Sequence, residues 1–432
     1  MIAQHLTRLF KTSTIVMKFK KLIFIFCTMQ ACKGFLNGLE KSFDMSKFRG
    51  PVPTDKDVWR NVSQLIKSEG YPCEEHYVKT QDYFILNIQR IPHGRNQNYT
   101  KHKPKPVVFL QHGLLADSSC WVVNFPKTSL AFILADHGFD VWLGNSRGNR
   151  YSRRNKHLSP DCLKFWKWSF DDMAKYDLPA TIDYILNVTE QKKLLYIGHS
   201  QGTLIAFAAL SKNHTLAKKI KLFIALAPIV TIGNIQVSLF RTLADVTTAI
   251  TVVAPVIDSP FLPGDIWRKE FIDKGFCNGL TEEKLCYHVA SYLVGNDPTN
   301  INYSRIPVFL SGFPSGTSLR NMVHFAQLLV SGKCQMFDYG IIENFYYYGK
   351  AEPPQYHVEN IPVPIAIFSG SHDTLSNPTD VKLLIPKIKN LVYNKELQEF
   401  NHIDFVLALN AYKLLYPDVV KLVKKYSDLN VN

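Results

Sequence analysis

From about residue 84 onward the chain alternates short, β-branched apolar runs with longer segments whose apolar positions recur at helical spacing. The short runs predict strands over 83–91, 106–111, 139–143, 194–197, 222–226 and 365–368. Helical spacing predicts helices over 129–136, ending at Gly138, and over 170–186 and 203–210. Strands separated by helices point to an α/β fold with a mostly parallel sheet. The alternation stops after Pro228, and from 229 to 348 the chain is irregular and aromatic, with Phe240, Phe261, Trp267, Phe271, Tyr287, Phe309, Phe313, Phe325 and the run Phe345 to Tyr348. An insertion between late strands of such a sheet stands over the carboxyl ends of the strands, where ligands bind. Residues 229–348 are therefore expected to form a cap, against the alternative of a second domain with its own core. The first and second parts of the main domain are then 33–228 and 349–432.

The first 32 residues carry Arg8, Lys11, Lys18, Lys20 and Lys21 and no acid, and the run from Leu22 to Cys27 is followed by small residues such as Ala31. This order of basic, apolar and small residues predicts a secretory signal peptide over 1–32, with Met1 or Met17 as its start. The apolar run falls short of the ~20 residues that span a bilayer, so no integral membrane segment is expected. Sequons at Asn61, Asn98, Asn187, Asn213 and Asn302 are candidate glycosylation sites on such a route. Of eight cysteines, Cys27 and Cys32 leave with the signal, and Cys73, Cys120, Cys162, Cys277, Cys286 and Cys334 remain. The oxidising route permits disulfides but does not fix the pairing. Cys277 and Cys286 alone are spaced to close a small loop, and the others read as buried free thiols. No C-x-x-C and no His/Cys cluster has zinc spacing, so no metal is expected.

At 46% hydrophobic and 20% charged residues the chain is globular with ample core. Lys and Arg number 50 against 36 Asp and Glu, a net +14, but the bases sit in short groups such as Arg153, Arg154 and Lys156 with acids between them. With no nucleic-acid module present, this reads as a solvated basic surface.

Two segments match G-x-S-x-G. Gly198-His199-Ser200-Gln201-Gly202 follows the apolar run 194–197 and opens the helical run 203–210. Strand, turn and helix are the context in which a serine is held exposed on a sharp turn, flanked by glycines because side chains there would clash. Gly144-Asn145-Ser146-Arg147-Gly148 also follows a strand but runs on into Asn149-Arg150-Tyr151-Ser152-Arg153-Arg154, which has no apolar helical face. Ser146 is thus read as a loop residue and Ser200 as the nucleophile. Serine needs a base, and the base an orienting acid. After the small-residue turn Ser369-Gly370-Ser371-His372-Asp373 one histidine remains, His402. Asp373 follows a buried-looking strand and is taken as the acid, ahead of Asp338 in the cap, Asp380 at a helix start and Asp404, whose place suits helix-dipole compensation. The oxyanion donors are expected to be the backbone N–H groups of Gln201 and of Leu114, which follows His112-Gly113 at the end of strand 106–111.

These residues resemble the acid lipases, the gastric and lysosomal acid lipase family of α/β-hydrolases. The resemblance rests on His112-Gly113-Leu114-Leu115, the stretch Asp140 to Asn149, Gly198 to Thr203 and Asn401-His402-Ile403-Asp404-Phe405. It extends to Gly70 to Glu75, Met173 to Ala180 and Gly316-Thr317-Ser318, covering about residues 58 to 425. It implies an α/β-hydrolase core with a cap and lid and cofactor-free hydrolysis of neutral lipid esters at a lipid–water interface. It further implies a Ser200, Asp373, His402 triad with Leu114 and Gln201 as donors, and a Cys277–Cys286 disulfide. The long segment before Met17 and the more divergent cap depart from the family, leaving chain length and sterol-ester preference open. Alternatives are a carboxylesterase for other lipid or soluble esters and a lipid carrier without turnover, which the complete triad disfavours.

Overall fold

The computed structural model describes residues 55–95, 105–237, 240–241, 244, 258–264 and 300–427. The expected leader, Asn98, Cys277, Cys286 and residues 238–239, 242–243, 245–257 and 265–299 of the expected cap lie outside them.

Nine strands form one sheet. They are β1 (Glu74–Lys79), β2 (Phe84–Ile91), β3 (Val107–Gln111), β4 (Asp140–Leu143), β5 (Arg154–Asn155), β6 (Leu194–His199), β7 (Ile220–Leu226), β10 (Ile365–Gly370) and β11 (Leu391–Leu397), in the order β1-β2-β4-β3-β6-β7-β10-β11 with β5 on β2. From β4 through β11 every pairing is parallel, while β1, β2 and β5 pair antiparallel at one end. All residues of β3, β4, β6 and β10 are buried, because a parallel sheet is covered by helices on both faces and its strands read as continuous apolar runs. The two outer strands differ. Exposed and half-buried residues alternate along β11, and β1 has one buried residue. Neither was expected from the sequence, because an edge strand with one wet face lacks the apolar run.

Helices α1 (Val62–Ser68), α2 (Leu130–Asp136), α3 (Leu178–Thr189) and α4 (Gln201–Lys212) flank the first part of the sheet. Helix α2 ends as expected at Gly138, whose φ of +90° suits a residue without Cβ. Helix α3 is entered from Phe170–Asp172 through a π turn, Met173–Asp177, just before Pro179, which lacks the N–H that a regular helix would use. Within the 229–348 insertion, α5 (Ile306–Gly312), α6 (Leu319–Ser331) and α7 (Ile341–Tyr348) are described, as is a small hairpin of β8 (Pro260–Phe261) and β9 (Thr317–Ser318). Helix α6 is tied to the main domain at its first turn. The Ser318 hydroxyl donates to the Trp168 carbonyl at 2.6 Å and caps the N–H of Asn321 at 3.0 Å. The last helix, α8 (Tyr416–Tyr426), follows β11 and packs on β7.

Cys73, Cys120, Cys162 and Cys334 are free thiols. Cys120 and Cys334 are buried as expected, Cys73 is half-buried, and Cys162 is exposed beside a surface turn. Asn61, Asn187 and Asn213 are exposed and Asn302 is half-buried.

Candidate active site

The carboxyl end of β6 runs straight into α4, and Ser200 occupies the turn at φ 55° and ψ −122°, a conformation costly for any residue with a Cβ. Two glycines make the turn possible. A Cβ at Gly198 would come within 2.7 Å of the Gly202 backbone, and one at Gly202 would drive into the Gln111 carbonyl. The turn is fastened by the Thr203 N–H and hydroxyl, which donate to the Ser200 carbonyl at 2.8 and 2.7 Å.

His402 stands over the serine. Ser200 Oγ–H donates to His402 Nε2 at 2.7 Å, and His402 Nδ1–H donates to Asp373 Oδ2 and Oδ1 at 2.9 and 3.0 Å. The carboxylate can only accept, which fixes the imidazole proton on Nδ1 and leaves Nε2 free to take one. Asp373, 1% exposed, lies three residues beyond β10 and also accepts from the N–H groups of Leu375 and Ser376 at 2.9 and 2.7 Å. His402 lies beyond β11, so the sheet brings three distant segments together at the carboxyl ends of β6, β10 and β11.

The rival acids go elsewhere. Asp404 Oδ2 accepts from the Asn401 N–H at 2.7 Å at the start of the short helix Asp404–Leu407, Asp380 holds Asn234, and Asp338 holds Asn344 and the Gly340 N–H. Ser146, the second G-x-S-x-G serine, is also buried, but its Oγ accepts from Gln111 Nε2 at 3.0 Å and its N–H donates to His112 Nε2 at 3.0 Å.

His112 and His199 were not expected to matter, and both brace the site. His112 Nδ1–H donates to the Gly113 carbonyl at 2.7 Å, with Nε2 accepting from Ser146 N–H and from Asn149 Nδ2 at 3.2 Å, so the loop that carries Gly113 and Leu114 is tied to the second motif. Gly113 lies so close to Ser200 that a Cβ there would approach its Cβ at 2.8 Å and its Oγ at 3.3 Å. His199 Nε2–H donates to the His402 carbonyl at 2.8 Å and thus anchors the backbone of His402. Burial holds both rings neutral, lowering His112 from the ordinary value and His199, with the nearby His402 adding, to about 3. Asn321, the third unexpected residue, reaches from α6 to the first residue of α4. Its Nδ2 donates to Gln201 Oε1 at 2.6 Å with both side chains buried. The signal available was the Ser318 cap before an amphipathic run.

In front of Ser200 opens a cavity of about 770 Å³, mouth included, lined by Leu114, Leu115 and Ile229 and by the aromatic rings of Phe240, Phe309, Phe313 and Phe325. Among the described residues no cluster of His, Cys, Asp or Glu is arranged to hold a metal ion.

Residues 106–409 match the α/β hydrolase fold family, and residues 62–125 match the partial α/β-hydrolase lipase region. The chain is 46% identical to human gastric triacylglycerol lipase over 374 residues, covering 86% of this chain and 93% of that one. The chain belongs to the acid lipase family of α/β-hydrolases. Human lipase member K is 46% identical, covering 85% of this chain and 91% of its own. Human lysosomal acid lipase/cholesteryl ester hydrolase is 43% identical, covering 86% and 92%. Among solved structures a soluble variant of monoglyceride lipase from Saccharomyces cerevisiae shares the fold, with a TM-score of 0.53, 15% identity and coverage of 88% of this chain and 99% of that one. Within this acid lipase, the carboxyl ends of the strands carry Ser200, Asp373 and His402, and the described part of the insertion supplies Phe309, Phe313 and Phe325 to the cavity wall. Among the described residues no helix is long and apolar enough to cross a membrane.

Proposed function

We propose that this chain is a serine lipase that hydrolyses carboxylic esters of neutral lipids, triacylglycerol and cholesteryl esters, through an acyl-enzyme. Ser200 is the nucleophile, His402 the general base and then acid, and Asp373 the group that orients and balances the imidazole. The observation that carries the reading is the continuous hydrogen-bonded chain from Ser200 Oγ through His402 to Asp373, facing an apolar cavity. His402 takes the Ser200 proton as Oγ attacks the ester carbonyl. The N–H groups of Leu114 and Gln201 receive the developing oxyanion, each worth about 10²–10³ in rate. His402 then protonates the leaving alcohol, and water repeats the sequence on the acyl-enzyme. The steps use side chains and backbone alone. The apolar wall suits a long acyl chain, and the similarity to gastric triacylglycerol lipase and lysosomal acid lipase/cholesteryl ester hydrolase supports the substrate class.

The remaining assignments belong to the same reading. Residues 1–32 are a leader that directs the chain to secretion or the lysosomal lumen, 229–348 a cap that gates the cavity, and 33–228 with 349–432 the hydrolase core. Cys277 pairs with Cys286, and glycans are carried on Asn61, Asn98, Asn187, Asn213 and Asn302.

The test is release of oleate from emulsified trioleoylglycerol and cholesteryl oleate at acidic and neutral pH, with Ser200→Ala beside the wild type. The reading expects release that depends on Ser200. Turnover of short soluble esters with none of either lipid moves the assignment to an esterase, and no turnover of any ester by the folded protein moves it to a carrier.

A further inference from the structure

The basic group Arg153, Arg154 and Lys156 has a place in the fold that the catalytic reading does not use. β1 covers one side of β2 from Ile85 to Arg90, so β4, paired at Gln89 to Ile91, and β5, paired at Phe84 and Ile85, share its other side. β5 therefore continues the column of β4 past its carboxyl end. That column lies two strands from β6 and Ser200, a lateral offset of about 10 Å at ~4.8 Å per strand. The segment that carries β5 thus lies on the same rim of the sheet as the catalytic cavity.

Between residues 153 and 167 that segment exposes Arg154, Lys156, His157, Lys164 and Lys167 against a single exposed acid, Asp161. Exposed apolar groups stand among these bases. Tyr77, Tyr83 and Leu163 are 51%, 44% and 52% exposed. The Arg154 guanidinium lies 5.4 Å over Tyr77, Lys79 Nζ lies 5.3 Å over Tyr83, and Tyr83 meets His157 edge-on at 4.6 Å. The surface is held in shape from beneath, since Trp166 Nε1–H donates to the Pro160 carbonyl at 2.8 Å and Lys156 N–H to the Tyr83 carbonyl at 2.9 Å. Basic groups close to an anionic bilayer are drawn to it, and tyrosine and leucine side chains at the same level insert among the headgroups. The opposite edge of the sheet, where β6 and β7 begin, also exposes bases, Lys192, Lys193 and Lys218, but faces away from the cavity.

We propose that the rim formed by residues 153–167 and the β1–β2 turn docks the enzyme on an anionic lipid surface, with the cavity mouth facing the same surface. This rests on the lipase reading and names the surface on which it acts.

The test is sedimentation of the full-length protein with vesicles of phosphatidylcholine, alone or with one third phosphatidylglycerol. Two triple variants carry the same charge change: Arg154→Glu, Lys156→Glu, Lys164→Glu on the rim, and Lys192→Glu, Lys193→Glu, Lys218→Glu on the far edge. At about fivefold per basic residue removed from an anionic surface, the three substitutions compound, and the rim variant is expected to lose about a hundredfold in binding to the anionic vesicles, and the far-edge variant less than about twofold. A neutral pair, Tyr83→Ser with Leu163→Ser, weakens binding with no change of charge. Turnover of a short soluble ester, unchanged in every variant, verifies the fold. Equal losses in the two triples, or no preference of the wild type for phosphatidylglycerol, overturn the proposal. Lipid turnover without anionic binding leaves the lipase reading standing alone, and anionic binding without turnover of any ester removes that reading while the docking surface stands.

Discussion

The molecule holds two copies of the same five-residue pattern at the carboxyl ends of β6 and β4, two strands apart in the sheet, and they have opposite uses. Around Ser200 the pattern bends the chain from β6 into α4, strains the serine and aims its hydroxyl at a histidine. Around Ser146 it leads from β4 into a loop whose polar groups all point inward. Asn145 donates to the carbonyl of Asn87, Ser146 to His112, and Arg147, 1% exposed, is gripped by Asp177 and Asp82 while covering the ring of Phe84. The first motif is built to present one atom, and the second to hold the loop of Gly113 and Leu114 through His112. What separates them is the sequence that follows, an apolar helical face after Gly202 and a polar run after Gly148. A pattern of glycines and serine carries chemistry only where its surroundings leave the hydroxyl a base.

Substitution of the two serines tests this contrast most strongly. Ser200→Ala is expected to lower kcat for any ester by at least about 10⁴ with little change in Tm, whereas Ser146→Ala should leave kcat within about tenfold and cost stability of about 1–2 kcal/mol by removing a buried hydrogen bond. Paired kinetics and thermal melts measure both. A Ser146→Ala enzyme as dead as Ser200→Ala would erase the distinction.

Next in size is the stabilising role of the second motif. Arg147→Met leaves Asp177 buried without its partner, and the expected cost is about 3–5 kcal/mol in denaturant unfolding. A loss below about 1 kcal/mol would contradict a scaffold role.

Asn321→Leu tests whether the insertion reaches the first motif. Its expected effect is about a tenfold fall in kcat with KM unchanged, since only the setting of Gln201 is disturbed. Restoration of kcat by Asn321→Asp, which still meets Gln201 Nε2 if that amide turns, distinguishes positioning from packing, and a matching rise in KM would argue for a wall residue instead.

The smallest effect is on pH. His199 has a folded pKa of about 3, below the ordinary 6.5, because burial disfavours its charged form. The unfolded chain takes up that proton first, so the contribution of His199 is full above about pH 6.5 and is lost as pH falls toward about 3. Asp171 works the other way. Buried and raised to about 6, it gains stability as pH falls from about 6 toward its ordinary value near 4. The difference in Tm between His199→Gln and wild type should therefore shift in favour of the variant on going from neutral to acidic buffer, and a shift in favour of the wild type would reverse the assignment.

The fold was legible where burial is two-sided. The expected strands at β3, β4, β6, β7 and β10 coincide with runs buried on both faces, and the G-x-S-x-G choice followed from the helix after it. β1 and β11 were missed because polar and charged residues fill most of each, leaving only the short apolar stretches Tyr77-Val78 and Leu391-Val392-Tyr393. In the site, Ser200, Asp373 and His402 could be named from chain order and strand-end context. The braces could not. His112 with Ser146, His199 with the His402 carbonyl and Asn321 with Gln201 join positions 34, 203 and 120 residues apart, and a polar residue met singly in sequence carries no sign of its distant partner.

The most direct test of the central claim is to react the folded protein with a serine-directed fluorophosphonate and map the labelled peptide by mass spectrometry. A single adduct on Ser200, blocking ester turnover in proportion to labelling, is the predicted result. An adduct on Ser146, or full ester turnover after Ser200 is labelled, would contradict it.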